Sequence, residues 1–151
     1  YFYSQSRRSG EVGTPTEVSG KNEQVPMKSY NFLLADTQEK RVQGLSGRDS
    51  LPENTVILFT FEENNACGIW MKEMKFKIDV VWMNSDFTVI DFKENIAPET
   101  FPKVFSPISS CRYVIEANDG LIKENALQIG DKVSVDFNNS TLKITKNLQQ
   151  P

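Results

Sequence analysis

Four charged side chains are embedded in apolar or tightly patterned sequence: Asp79 opens the run Ile78-Asp79-Val80-Val81, Glu116 follows Tyr113-Val114-Ile115, and Arg48 and Lys72 stand beside Leu51 and Trp70-Met71. A carboxylate entering a buried strand needs a partner, because an unpaired buried charge costs several kcal/mol or becomes neutral. One reading is an ion pair from Arg48 to Asp79 or Glu116 that fixes a loop against a sheet. The other is a polar cleft in which Asp79 and Glu116 bind a ligand or act as the two carboxylates of a glycoside hydrolase, which must stand roughly 5 to 9 Å apart. Trp70 and Met71 are neighbours on a predicted strand, so they point to opposite faces; one is core and the other is free to line the cleft as an aromatic platform.

The composition narrows this chemistry. The 151 residues include no histidine, which excludes Ser-His-Asp and Cys-His machinery and the usual imidazole metal ligands. Two cysteines cannot supply a four-ligand structural zinc site, and no loop has the acidic spacing of a calcium site, so neither a metal nor a cofactor is expected. Cys67 and Cys111 each precede a predicted strand; they form either a disulfide, suited to an exported protein, or two reduced buried thiols. A disulfide closing that loop would add about 4 kcal/mol in the chain-entropy treatment. Lys plus Arg is 17 against 20 Asp plus Glu, net charge −3, so nucleic acid is not an expected partner.

The elements that must position these residues are mainly strands. Tyr30, Phe32 and Leu34 alternate; Asp36 with Glu39 reads as a capping box opening a short helix that Gly44 and Gly47 end. Thr55 to Phe61 is a continuous apolar strand, Glu62 to Asn65 a turn, and Cys67 to Lys72 the next strand. Ile78 to Met83 and Phe87 to Phe92 form a hairpin about Asn84-Ser85-Asp86. Residues 95 to 110, with three prolines, read as a long loop and a candidate pocket rim. Tyr113, Ile115 and Ala117 share one face, with Val114 and Glu116 on the other. A short helix from Asn118 to Ala126 follows, and a hairpin about Asn138-Asn139-Ser140 pairs Val133, Val135 and Phe137 with Leu142 and Ile144. The pattern predicts a mainly β, single-domain sandwich, jelly-roll-like or partly closed barrel, with two short helices.

Taken in order, Arg41-Val42-Gln43-Gly44-Leu45 with Arg48 and Leu51, Ile69-Trp70-Met71-Lys72, Ile78-Asp79-Val80-Val81, and Tyr113-Val114-Ile115-Glu116 with Gly120, Gly130-Asp131 and Val133 resemble the bacterial and archaeal domain-of-unknown-function family numbered 192. The resemblance covers roughly residues 28 to 137. It implies a compact jelly-roll sandwich, often exported or membrane-anchored, with no assigned activity. Ser46 stands where that family usually has Met, and Glu73-Met74 where Asn-Thr is frequent.

The resulting expectation is a flexible linker over residues 1–27 after a missing anchor or signal segment, a β domain over 28–146 and a tail over 147–151. The domain is expected to be extracytoplasmic, monomeric and non-catalytic. It would bind a small molecule, an envelope glycan or a peptide through Arg48, Trp70, Lys72, Asp79 and Glu116, touching a membrane only through the missing N-terminal segment. A carboxylate-dependent hydrolase acting on an envelope glycan is the alternative.

Overall fold

The computed structural model describes residues 27–148; all but the last residue of the linker expected over 1–27, and the final three residues of the chain, lie outside them. In chain order the strands are β1 (Ser29–Ala35), β2 (Thr55–Asn65), β3 (Ile69–Trp70), β4 (Ile78–Met83), β5 (Val89–Ile96), β6 (Val104–Phe105), β7 (Cys111–Asn118), β8 (Lys132–Asp136) and β9 (Thr141–Thr145). Two short helices, α1 (Gln38–Gln43) and α2 (Leu121–Glu124), follow β1 and β7. Seven strands form one sheet in the order β5-β4-β7-β2-β1-β9-β8, and β3 pairs with β6 as a separate ribbon.

The large sheet curls until its two edge strands meet at one end. Thr88 bridges Lys132, and Val89 N–H donates to Asp131 O at 2.8 Å while Val133 N–H donates to Phe87 O at 2.9 Å. The mainly β, partly closed barrel expected from alternation is the observed architecture. The central strands β2, β4 and β7 are covered on both faces over much of their length, and the core divides accordingly. Tyr30, Phe32, Leu58, Met83, Ile115 and Leu142 fill the inside of the curl. Phe59, Met71, Val80, Trp82 and Val114 pack on its outer face beneath α1, the β3–β6 ribbon and their loops. β4 is buried at every position, which explains its continuous apolar run from Val80 to Met83 better than simple alternation would.

Several local expectations are corrected. The cap of α1 is Thr37, whose hydroxyl accepts from Lys40 N–H, while Asp36 takes the Lys40 ammonium at 2.9 Å; Glu39 is one residue too close to Thr37 to complete a capping box. Glu62 to Asn65 is no turn. It prolongs β2 past a register shift, with Asn65 opposite Cys111. The strand expected over residues 67–72 shrinks to two residues because only Ile69 and Trp70 find partners, Phe105 and Val104. The long 95–110 segment carries a 3-10 turn at Pro98–Thr100 and supplies β6, one strand of the ribbon; none of its residues lines the cleft beside α1.

Candidate cleft on the outer face of the sheet

A cleft of about 670 Å³ opens between α1, the β3 segment and the outer face of β2 and β7. Glu116 lies on its lining, as do Trp70 and Lys72, so three of the five expected site residues come together. The strand register sets Glu116 between Ile57 of β2 and Val80 of β4, both buried aliphatics. The residue is 7% exposed. Loss of hydration raises its carboxyl pKa from 4.5 to about 7, with no ion pair or hydrogen bond opposing the shift. It is therefore a buried acid facing a cavity and able to accept or donate near neutrality.

Met71 is buried and Trp70 is 50% exposed, the separation expected, although β3 ends at Trp70 and Met71 lies just beyond it. Val104 opposite it is also exposed, and Phe101 leans on its ring at 5.3 Å. The Lys72 ammonium stands 5.7 Å from the Trp70 ring centroid, within cation–π range. Loop contacts hold this wall in place: Ser46 Oγ donates to Lys72 O at 2.8 Å, Gly47 N–H to Glu73 O at 2.9 Å, and Lys75 pairs with Asp49 at 2.8 Å. Cys67, disulfide-bonded to Cys111 with Cα atoms 6.1 Å apart, closes one side. Trp82, buried beneath, donates its indole N–H to Cys67 O at 2.8 Å.

The other two expected residues are elsewhere. Asp79 pairs with Ala117 in the β4–β7 register, one position from the Val80–Glu116 pair, so its side chain points to the opposite face from Glu116. Its oxygens accept from Asn95 N–H at 2.8 Å, Gly120 N–H at 3.0 Å and Ile122 N–H at 2.9 Å. Asp79 is a clamp that holds α2 under the barrel, and Gly120, at φ +105°, makes the turn that presents those amides. Arg48 is exposed on the loop after α1 and pairs with neither carboxylate among the described residues. Three backbone amides already satisfy Asp79, and Arg48, exposed on its loop, does not reach the buried Glu116 either.

Reasoning from sequence overlooked Arg41, Gly44, Ser46 and Glu73 as cleft residues. Arg41 Nη1 donates to Asp36 O and Thr60 O at 2.9 and 2.8 Å, and its guanidinium lies 5.3 Å from the Phe61 ring. Gly44 ends α1 at φ +46°, where an added Cβ would stand 3.4 Å from the Phe59 ring. Ser46 and Glu73, the two departures from the resembled family's usual residues, both line the cleft.

A curled, seven-stranded partial barrel with a cleft on its outer face is the class that fold and site define. The chain belongs to the DUF192 family, described as Uncharacterized ACR, which it matches over residues 19–135. UPF0127 proteins of Thermococcus gammatolerans and Thermococcus kodakarensis are 34% and 33% identical to it over 103 residues, 68% and 67% of this chain. Those stretches are 65% and 62% of the two relatives, so this chain spans less than two thirds of their length. A crystal structure from Sinorhizobium meliloti 1021, provisionally described as a transcription regulator, is 29% identical with a TM-score of 0.63, covering 67% of this chain and 78% of that one. A protein of unknown function from Novosphingobium aromaticivorans DSM 12444, 22% identical with a TM-score of 0.64 over 68% of this chain and 73% of that one, shares the fold.

Proposed function

We propose that this protein is a non-catalytic, extracytoplasmic binding module whose outer cleft takes a segment of a cell-envelope glycan or peptide. The observation that carries this reading is the presence in one cleft of a half-exposed tryptophan and a buried, unpaired carboxylic acid, Trp70 and Glu116. An aromatic platform with a few convergent polar groups is the usual composition of a ligand pocket. The Cys67–Cys111 disulfide favours an oxidising compartment. A nucleic-acid role, which the description of the Sinorhizobium relative would suggest, is disfavoured by the net charge of −3.

Tryptophan fluorescence tests the reading, since Trp82 is buried and Trp70 is the accessible reporter. Titration with peptidoglycan fragments and short peptides should give a saturable change that disappears in Trp70→Ala. Absence of any response across both sets, confirmed by calorimetry, removes the binding reading.

The hydrolase alternative draws on one feature, the Glu116 pKa of about 7, which suits a general acid. Asp79 cannot be its partner from behind the sheet, which leaves Glu73 as the other acid on the cleft lining. Release of new reducing ends from cell-wall glycan, abolished by both Glu116→Gln and Glu73→Gln, would establish it.

A further inference from the structure

We infer that the cleft is a receptor for a cationic nitrogen group, with a guanidinium such as an arginine side chain of a peptide as the best-fitting ligand and Glu116 as its counter-charge. The inference rests on the binding-module reading and selects the ligand class within it.

Three observations converge on it. Glu116 is more than nine-tenths buried, lies on the cleft lining and accepts from no donor among the described residues. A buried carboxylate is compensated best by a charged donor, and guanidinium matches it with two parallel N–H···O bonds. Second, the protein's own cations along the cleft are committed elsewhere. Arg41 of α1 uses Nη1 on the Asp36 and Thr60 carbonyls and rests against Phe61. Lys72, after β3, lies over Trp70, and Glu73 is the remaining ionisable side chain on the lining. β2 and β4 contribute Phe59, Phe61, Asn65 and Ile78, none of which is charged. Third, the Trp70 ring already accepts a cation, the exposed Lys72 ammonium. A planar guanidinium stacks on such a ring more effectively than an ammonium does.

Binding is consequently linked to protonation. The ligand requires the ionised form of Glu116, whose burial keeps it largely protonated below neutrality. Affinity for a permanently charged ligand therefore rises with pH and levels off above the acid's own pKa.

The test uses the full chain and two N-acetylated, C-amidated tripeptides, Gly-Arg-Gly and its citrulline counterpart, which keeps the shape of arginine without its charge. Calorimetry at pH 6 and 8.5 should show the arginine peptide binding about tenfold more tightly at the higher pH, the change expected when a group titrating near 7 must ionise. The citrulline peptide should bind at least about tenfold more weakly at pH 8.5, and Glu116→Gln should abolish both differences. Because Gln is nearly isosteric and removes a buried charge, the variant folds; the Glu116 carboxyl resonance in the wild-type protein, shifted to a lower titration midpoint by the arginine peptide, gives an independent readout. Equal binding of the two peptides at pH 8.5, or a preference that survives Glu116→Gln, overturns the inference and leaves the binding-module reading intact. Binding of neutral saccharides with no binding of either peptide has the same result. No binding of any of these probes removes both.

Discussion

At the scale of single residues, Asp79 and Glu116 show how environment divides two acids that look alike in sequence. Asp79 is fully enclosed and accepts three backbone N–H bonds, so Asp79→Ala should orphan three amides and cost about 3 to 5 kcal/mol in urea denaturation. Hydrogen exchange at Gly120 and Ile122 should accelerate in the same variant. Asp79 was legible as a buried carboxylate needing partners, because its neighbours in sequence are β-branched and apolar. Its partners were not legible: they are amides brought from Asn95 and from the turn before α2, and only the fold places them. Glu116 differs because its strand neighbours on both sides are aliphatic. The separation of exposed Trp70 from buried Met71 was expected from a longer strand than the two-residue β3 that forms, while Arg41 passed as an ordinary helix residue since nothing local marks its two carbonyl acceptors.

At the scale of elements, the outer layer is held by one covalent link and short stretches of pairing. The β3–β6 ribbon has only two residues in each strand, too few to persist alone in water, and the Cys67–Cys111 bond ties its entrance to the edge of β7. The open choice between thiols and a disulfide is thereby resolved. Reduction should lower stability by about 4 kcal/mol, measured as a shift of the denaturation midpoint with and without dithiothreitol. The Trp70 emission should redshift before the global transition, since the ribbon and its cleft wall would loosen first. Strand positions were readable throughout β1, β4, β7, β8 and β9 from alternation or apolar runs. The continuation of β2 through Glu62-Glu63-Asn64-Asn65 was hidden because polar residues with turn composition were drawn into pairing across a bulge, a tertiary effect that overrides local preference.

At the scale of the molecule, two buried acids set opposite limits on the pH range of stability. For Asp131, burial alone would raise the pKa, but the Lys146 ammonium at 2.8 Å and the backbone N–H groups of Gln128 and Asn147 outweigh it and hold the carboxyl below 3.8. Its stabilisation is present above pH 3.8 and lost as pH falls through the depressed value. Glu116 is raised, so its contribution is complete below pH 4.5 and lost as pH rises through about 7. Stability should therefore peak at about pH 4 to 4.5 and decline by about 3 kcal/mol toward pH 8, with most of the loss between about pH 4.5 and 7. Chemical denaturation across that range should show the alkaline decline vanish in Glu116→Gln. A wild-type profile flat from pH 5 to 8 would contradict the burial assigned to this side chain.

The position of β1 has one more consequence. It lies inside the sheet, parallel to β2 on one side and antiparallel to β9 on the other, although β9 (Thr141–Thr145) lies beyond the stretch matched to the family. A chain emerging from the ribosome must therefore keep the β9-facing flank of its earliest described strand unpaired until residues 141–145 have been made. During that interval a bare hydrogen-bonding rim is open to wrong partners.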